Sequence, residues 1–183
     1  VFNLQGNILL SGPSIKADFD AKTELGSVAA DLVLSKIKTI DNAQYEGVIQ
    51  LNDFDLGALI DQPNLGRISS DFLLEGTGFM LENLKSNIKG TCSAFELNDY
   101  VYKNLDVQGL IEDRVFNGAL KVDDVHLKMD FEGLVDFSEE ENIYDFSANI
   151  RNANLNALNF VSRDSISVFK GEVAMDMKGT DLD

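Results

Sequence analysis

The sequence predicts an all-β protein, an elongated and mostly antiparallel sheet that is apolar on one side and curls around that side. Three observations carry the expectation. Hydrophobic and polar residues alternate along most of the 183 residues, the period of half-buried strands. Turn residues interrupt the alternation about every 10 to 14 residues, a spacing that suits hairpins. No long amphipathic helix is present to cover the apolar side, so a helix-backed sheet is not expected.

Taken in chain order, alternating runs occupy Phe2 to Leu10, Ile15 to Ala21, Val28 to Leu34, Tyr45 to Leu51, Ile68 to Gly76 and Leu84 to Ala94. They continue at Leu105 to Ile111, Phe116 to Val122, Leu127 to Phe137, Tyr144 to Ile150 and Phe169 to Gly179. The clearest is Leu127, Met129, Phe131, Gly133, Val135 and Phe137 against His126, Lys128, Asp130, Glu132, Leu134 and Asp136. Turns are expected at Gly12-Pro13, Asp41-Asn42, Asn98-Asp99, Glu112-Asp113, Asp123-Asp124 and Glu139 to Asn142. Short connections between consecutive strands make an antiparallel meander the default.

Two segments break the alternation. Asp55 to Asp61 sets Leu56, Leu59 and Ile60 at helical spacing, and Asn154 to Phe160 does the same less regularly with Leu155 and Leu158. Each has an Asx N-cap candidate in front, so each is expected to form one or two helical turns, near 55–61 and 154–160. They belong to a duplication. Tyr45 to Leu59 matches Tyr144 to Leu158, 99 residues on. Leu74-Glu75-Gly76-Thr77 matches Met177-Lys178-Gly179-Thr180, with extra residues near Ser162 to Ser165. Residues 1–183 therefore read as one segment of about two repeats of roughly 100 residues, an architecture that grows by adding strands.

Composition excludes several classes. Fifteen Lys and Arg face 31 Asp and Glu, and a net charge of −16 argues against nucleic-acid binding. No apolar stretch is long enough for a membrane-spanning helix. A hydrophobic content of 44% is too high for a disordered acidic tail. One Cys and one His leave neither a disulfide framework nor a multi-His metal site. The chain opens at Val1 without Met and stops at Asp183 in mid-pattern, so it is expected to be a soluble internal segment of something longer.

No catalytic constellation emerges, and the chain is expected not to be an enzyme and to hold no cofactor. His126 lies on the polar parity and reads as a surface residue. Cys92 shares parity with Ile88, Gly90 and Ala94 and reads as a small buried hydrophobe. Gly76-Thr77-Gly78 reads as a bend rather than a phosphate loop. Twenty of the acids are Asp, which raises calcium. Yet the pairs Asp18/Asp20, Asp53/Asp55 and Asp181/Asp183 belong to no twelve-residue calcium loop, and in strands they put two charges on the wet face. An acidic adhesive β-domain that binds calcium is thus a weaker alternative. Glycoside hydrolysis is disfavoured because there is no Trp to stack sugars.

The apolar face is the informative feature. It could be covered by a sandwich, closed in a barrel, or left as a trough that binds something apolar, and the repeat favours the trough. Its expected lining is Ile49, Leu51, Phe72, Leu74, Leu105, Val107, Phe116, Leu120, Met129, Phe131, Phe146, Ile150, Val173 and Met175.

Several motifs in order resemble the repeat region of the TamB family, within the AsmA-like group. They are Leu56-Gly57-Ala58-Leu59, Asn64 to Ser69, Phe72 to Phe79, Tyr102 to Gly109, Phe116 to Asp124, Leu127 to Phe137, and Ala153 to Phe160 closing in Lys178 to Asp183. The resemblance implies a β-taco, a long sheet bent into a U around an apolar groove. It implies an inner-membrane-anchored protein reaching across the periplasm of a Gram-negative bacterium. It further implies work in outer-membrane protein assembly with an Omp85-type barrel such as TamA, and in phospholipid movement between the membranes. The expected partners are phospholipid acyl chains and that barrel. A groove that holds nascent outer-membrane β-strands is the alternative, and cut sheet edges make dimerisation of the segment plausible.

Overall fold

Because each alternating run has one dry and one wet side, it needs neighbours of the same kind, and the chain satisfies this with a single sheet. The computed structural model describes residues 3–38, 43–60, 62–80, 83–136, 142–162 and 167–179. The elements are β1 (Asn3–Ser11), β2 (Ser14–Lys22), β3 (Ser27–Ser35), β4 (Gln44–Asp55), α1 (Leu56–Ile60), β5 (Leu65–Thr77) and β6 (Lys85–Leu97). They continue with β7 (Tyr100–Tyr102), β8 (Leu105–Glu112), β9 (Val115–Asp123), β10 (Leu127–Asp136), β11 (Asn142–Asn154) and β12 (Val168–Gly179).

All twelve strands belong to one antiparallel sheet, elongated, curled and not closed. Spatial order follows chain order except at β7, which pairs only with the end of β6 and leaves the rest of β6 to β8. Neither a sandwich nor a barrel is formed. The expected strands are present, and β7 is an addition: three residues are too few to show a period.

The tight turns follow from local chemistry. Asn98-Asp99 (φ 51° and 60°) and Asp113-Arg114 (φ 47° and 64°) each join a two-residue hairpin with both central residues left-handed, the type I′ geometry that matches strand twist. The sequence places the second of these at Glu112-Asp113. It falls one residue later because Glu112 stays in the ladder, opposite Val115 on one side and Lys85 on the other. The Lys85 ammonium reaches both Glu112 oxygens, at 2.8 and 3.0 Å. The turns expected at Asp41-Asn42 and across 139–141 lie outside the described residues, and Asn142 begins β11.

The two segments that break the alternation share their construction up to a point. A bulge precedes each interruption, between Leu51 and Phe54 in β4 and between Ile150 and Ala153 in β11. The Asp55 carboxylate accepts from the Ala58 amide at 2.9 Å, and the Asn154 side-chain oxygen from the Ala157 amide at 3.2 Å. After Asp55 the chain makes the helix α1. After Asn154 it does not, contrary to the expectation of a helical turn at 154–160. There the Leu158 amide bonds the Asn154 carbonyl, but Asn159 at φ 65° turns left-handed, and the Phe160 and Val161 amides fold back onto the Leu155 carbonyl. Residues 155–159 are a knot of turns, not a helix.

One level of the sheet is made of glycine. Gly109, Gly118 and Gly133 are successive cross-strand partners in β8, β9 and β10. A Cβ on Gly118 would collide with the Gln108 carbonyl and the Gly109 backbone, so these strands approach more closely than side chains permit. The Phe116 ring lies where Cβ atoms of Gly109 and Gly118 would stand, and the Phe72 ring covers Gly90 in the same way.

Candidate functional site

Directly opposite residues of paired strands share a face, so the pairings trace rows across the sheet. The middle row runs Ile49, Phe72, Gly90, Val107, Leu120, Phe131, Ala148, Val173. A flanking row runs Leu51, Ser70, Cys92, Leu105, Val122, Met129, Ile150. On the other flank come Leu74, Ile88, Gly109, Gly118, Gly133, Phe146, Met175, and beyond them Phe116 between Ile111 and Val135. All fourteen residues expected to line a trough therefore lie on one face. Leu105 is buried and the other thirteen are half-buried. A sealed core would bury them fully, so this face is partly open along its length.

The fourteen residues named as lining leave out several members of the same face, although Cys92 was expected to be a buried hydrophobe. Val122 and Cys92 are buried in its floor, and Ile88 beside them. The signal was present, since all three share parity with the chosen residues. Ser70 is the exception: a buried hydroxyl among apolar side chains that makes no hydrogen bond.

One end of the face is capped. Leu158, 1% exposed, packs from the 155–159 turns into a cluster with Phe54, Ile68, Cys92, Tyr102, Leu105, Val122 and Ala153. The Asn159 side-chain Nδ2 donates to the Asn98 carbonyl at 3.0 Å, tying the β11–β12 connection to the β6–β7 turn. Three strands, β8 to β10, lie between β6 and β11 in the sheet, so this bond closes a span that a flat sheet would leave open. Beside it, buried Asp124 accepts from the Tyr100 hydroxyl at 2.5 Å, the His126 amide at 2.8 Å and the Lys103 amide at 3.1 Å. His126 itself sits just before β10, half-buried, with its ring 6.0 Å from that of Tyr100.

The cap shapes the titration of the chain. Burial pushes the Cys92 thiol up to about 12, which makes it a poor nucleophile and agrees with its reading as a packed hydrophobe. Burial first, and then the Asp124 carboxylate, pushes Tyr102 to about 12. Tyr100 is raised by burial and by its bond to Asp124, and Tyr45 by burial. Each of these folded values lies above the free one, so folding favours the protonated form. The associated stability is complete below the free thiol value of 9.0 and is lost as pH climbs through the folded values. The melting temperature is expected to fall steadily from about pH 9 to 12, with phenolate absorbance appearing as the chain unfolds. A melting temperature that holds or rises across that window would contradict the buried placement of these groups.

The opposite side carries the charge. Exposed cross-strand pairs join Arg67 to Asp53, Arg151 to Asp130 and Lys16 to Asp31. The sequence marks this side only as the wet face of the strands, but it is also hollow. A concavity of about 920 Å3 spans β6 and β8 to β12. Its lining combines the middle row from Gly90 to Val173 with the neighbours of that row, including Lys89, Asp106, Lys121, Asp130, Glu132 and Asn149. Those neighbours direct their side chains to the polar side, and the apolar flanking rows do not contribute, so the hollow opens on the polar side. A twisted sheet is a saddle, concave on both faces along different diagonals. Among the described residues no cluster of three or more His, Cys, Asp or Glu side chains is placed to hold a metal ion.

Fold and face together define a class: an open, single-layer antiparallel sheet with a continuous, partly accessible apolar side and one capped end. Searches of family models, curated proteins and solved structures returned no match in any of the three. Among the described residues no helix is long and apolar enough to cross a membrane.

Proposed function

We propose that the chain is a section of a lipid-conducting trough in a cell envelope, of the kind its resemblance to the TamB family implies. The observation that carries the reading is the row structure: fourteen apolar residues chosen by parity lie on one half-open face from β4 to β12. An acyl chain lying along that face leaves water at about 25 cal/mol per Å2 buried. Successive strands offer similar apolar surface, so a chain can advance without a deep trap, while the polar head group rides at the open side. For the eleven strands that follow one another across the sheet, ten spacings of roughly 4.8 Å make the section on the order of 50 Å long. Placement in the periplasm, anchoring of a longer protein in the inner membrane, and work with an Omp85-type outer-membrane barrel belong to the same proposal. No catalytic step is involved.

The test is direct. The chain, purified without detergent from a Gram-negative host, is expected to carry phospholipid detectable by native mass spectrometry and by organic extraction. Photo-crosslinking groups at Leu120 or Met129 are expected to label lipid. A lipid-free chain, or crosslinks to outer-membrane protein strands instead, would overturn the lipid reading in favour of a protein-holding groove.

A further inference from the structure

The floor of the apolar face holds one group at odds with its surroundings. Ser70 is 4% exposed, and its hydroxyl finds no hydrogen-bond partner among the described residues. No other buried side-chain nitrogen or oxygen among those residues is left in that state. The neighbouring serines are engaged. The Ser69 hydroxyl accepts from the Asp53 amide at 3.0 Å, and the Ser93 hydroxyl donates to the Ser69 carbonyl at 3.3 Å. The other buried serine, Ser86, donates to the Asn87 carbonyl at 3.4 Å. An unpaired buried hydroxyl costs stability that an alanine, one atom smaller, would not. A position that keeps such a group against the stability of its own fold points to recognition.

The surroundings explain why the hydroxyl is unpaired. Ser70 stands between Leu51 on β4 and Cys92 on β6. Leu51 has no polar side-chain atom, and burial alone raises the Cys92 thiol, with no hydrogen bond contributing. Along β5 the residues of the same face are Ile68 and Phe72, both apolar. Ile68 and Cys92 are buried members of the capped cluster, whereas Leu51 and Phe72 are half-buried. Ser70 therefore sits where the sealed cluster gives way to the half-open face. Its side chain is shorter than those of Leu51, Ile68 and Phe72, so it forms the bottom of a notch over which the larger side chains close. The two half-buried ones can change rotamer toward solvent, and an acyl chain lying between them runs over the hydroxyl.

We propose that Ser70 is a specificity-determining position of the trough and selects acyl chains that bear a hydroxyl group over plain hydrocarbon chains. The inference rests on the lipid reading above and names the kind of chain. A chain hydroxyl both donates and accepts, as Ser70 does, so the two satisfy each other in dry surroundings, where such a bond is strongest. A plain chain leaves Ser70 unpaired, and a site built around a hydroxyl discriminates against the analogue that lacks one. A carboxylate at this point is disfavoured by charge. Among the described residues the only buried ionised side chain is Asp124, itself an anion, so a second carboxylate would lose its hydration with no cation to replace it. An ester oxygen is tied to the head group, which rides at the open side. A hydroxyl can stand anywhere along the chain, its middle included.

The experiment is competition against a fluorescent fatty-acid probe, with the whole chain freed of bound lipid. The competitors are octadecanoic acid and a series of octadecanoic acids with a single hydroxyl at successive carbons. At least one hydroxylated isomer is expected to bind about tenfold or more tightly than the plain acid. Ser70→Ala is expected to abolish that difference. It is also expected to raise the melting temperature of the lipid-free chain by a few degrees, because the unpaired hydroxyl is gone. Ser69→Ala, one residue along on the other face, is expected to keep the preference and not to raise the melting temperature, since the Asp53 amide loses its acceptor. Equal binding of every acid by the unaltered chain overturns the proposal, as does a preference that survives Ser70→Ala. So does a melting temperature lowered by Ser70→Ala, which would mean that the hydroxyl is already bonded inside the protein. If no fatty acid binds at all, the probe included, the lipid reading itself fails and the proposal falls with it, an outcome separate from binding without preference.

Discussion

Replacing Asp124 with Ala is expected to lower unfolding stability by about 2–5 kcal/mol, the largest loss from any single side chain outside the apolar floor. Asp124 is 3% exposed, and its carboxylate accepts three hydrogen bonds, from the Tyr100 hydroxyl and from the Lys103 and His126 amides. Its own amide bonds the Leu127 carbonyl, which shapes the β9–β10 turn around it. Alanine removes the acceptor and leaves the donors in place, and a buried donor without a partner costs about 1–3 kcal/mol. Asp124→Asn keeps one acceptor oxygen and is expected to lose less. Tyr100→Phe removes a single donor and is expected to cost about 1 kcal/mol. Urea midpoints at constant slope are the measurement. An Asp124→Ala midpoint equal to that of the parent would mean that water reaches these donors freely and that the cap is not a sealed tie.

Phe131→Asp is expected to weaken binding of a fluorescent fatty-acid probe by at least about tenfold, since a carboxylate next to an acyl chain must be desolvated or must expel it. Phe131 stands in the middle row between Leu120 and Ala148, and its ring meets that of Phe146 at 4.9 Å. It is half-buried, so the new charge can reach water and the fold is expected to survive, which circular dichroism checks. Glu132→Gln, one residue along but on the other face, is the matched control and is expected to leave probe binding unchanged. Equal losses in both variants, or none in either, would remove the apolar face from the binding reaction.

The lining was legible because parity is local. Once Leu127, Met129 and Phe131 alternate with charged neighbours, their shared face follows without knowledge of any partner strand, and the same holds from Ile49 to Met175. The choice between trough, sandwich and barrel was not local. Each solution buries the same parity, and only the order of pairing, with β1 and β12 left as separate edges, selects the open sheet. Segment 154–160 misled for a related reason. The Asn154 cap and the leucine spacing match those of α1, but Asn159 turns left-handed and its side chain bonds Asn98, a residue no window around it contains. Asp124 read as one half of a turn dipeptide, and nothing near it announced that Tyr100 and Lys103 would converge on it. The polar hollow follows from the twist of the whole sheet and has no signature in any single strand.

The monotonic strand order has a kinetic consequence. With only β7 set aside, each strand lies against its neighbours in sequence, and the connections are short. Contacts are therefore formed across small loops, which places the chain toward the fast end for an all-β topology. Like a stacked-repeat protein, such a sheet can begin at any hairpin and zip outward in both directions, each added strand needing only the one before it. The bond between Asn159 and Asn98 is a different kind of contact, spanning 61 residues. It can form only when β6 through β11 are in place, so it reports completion of the curl rather than its start.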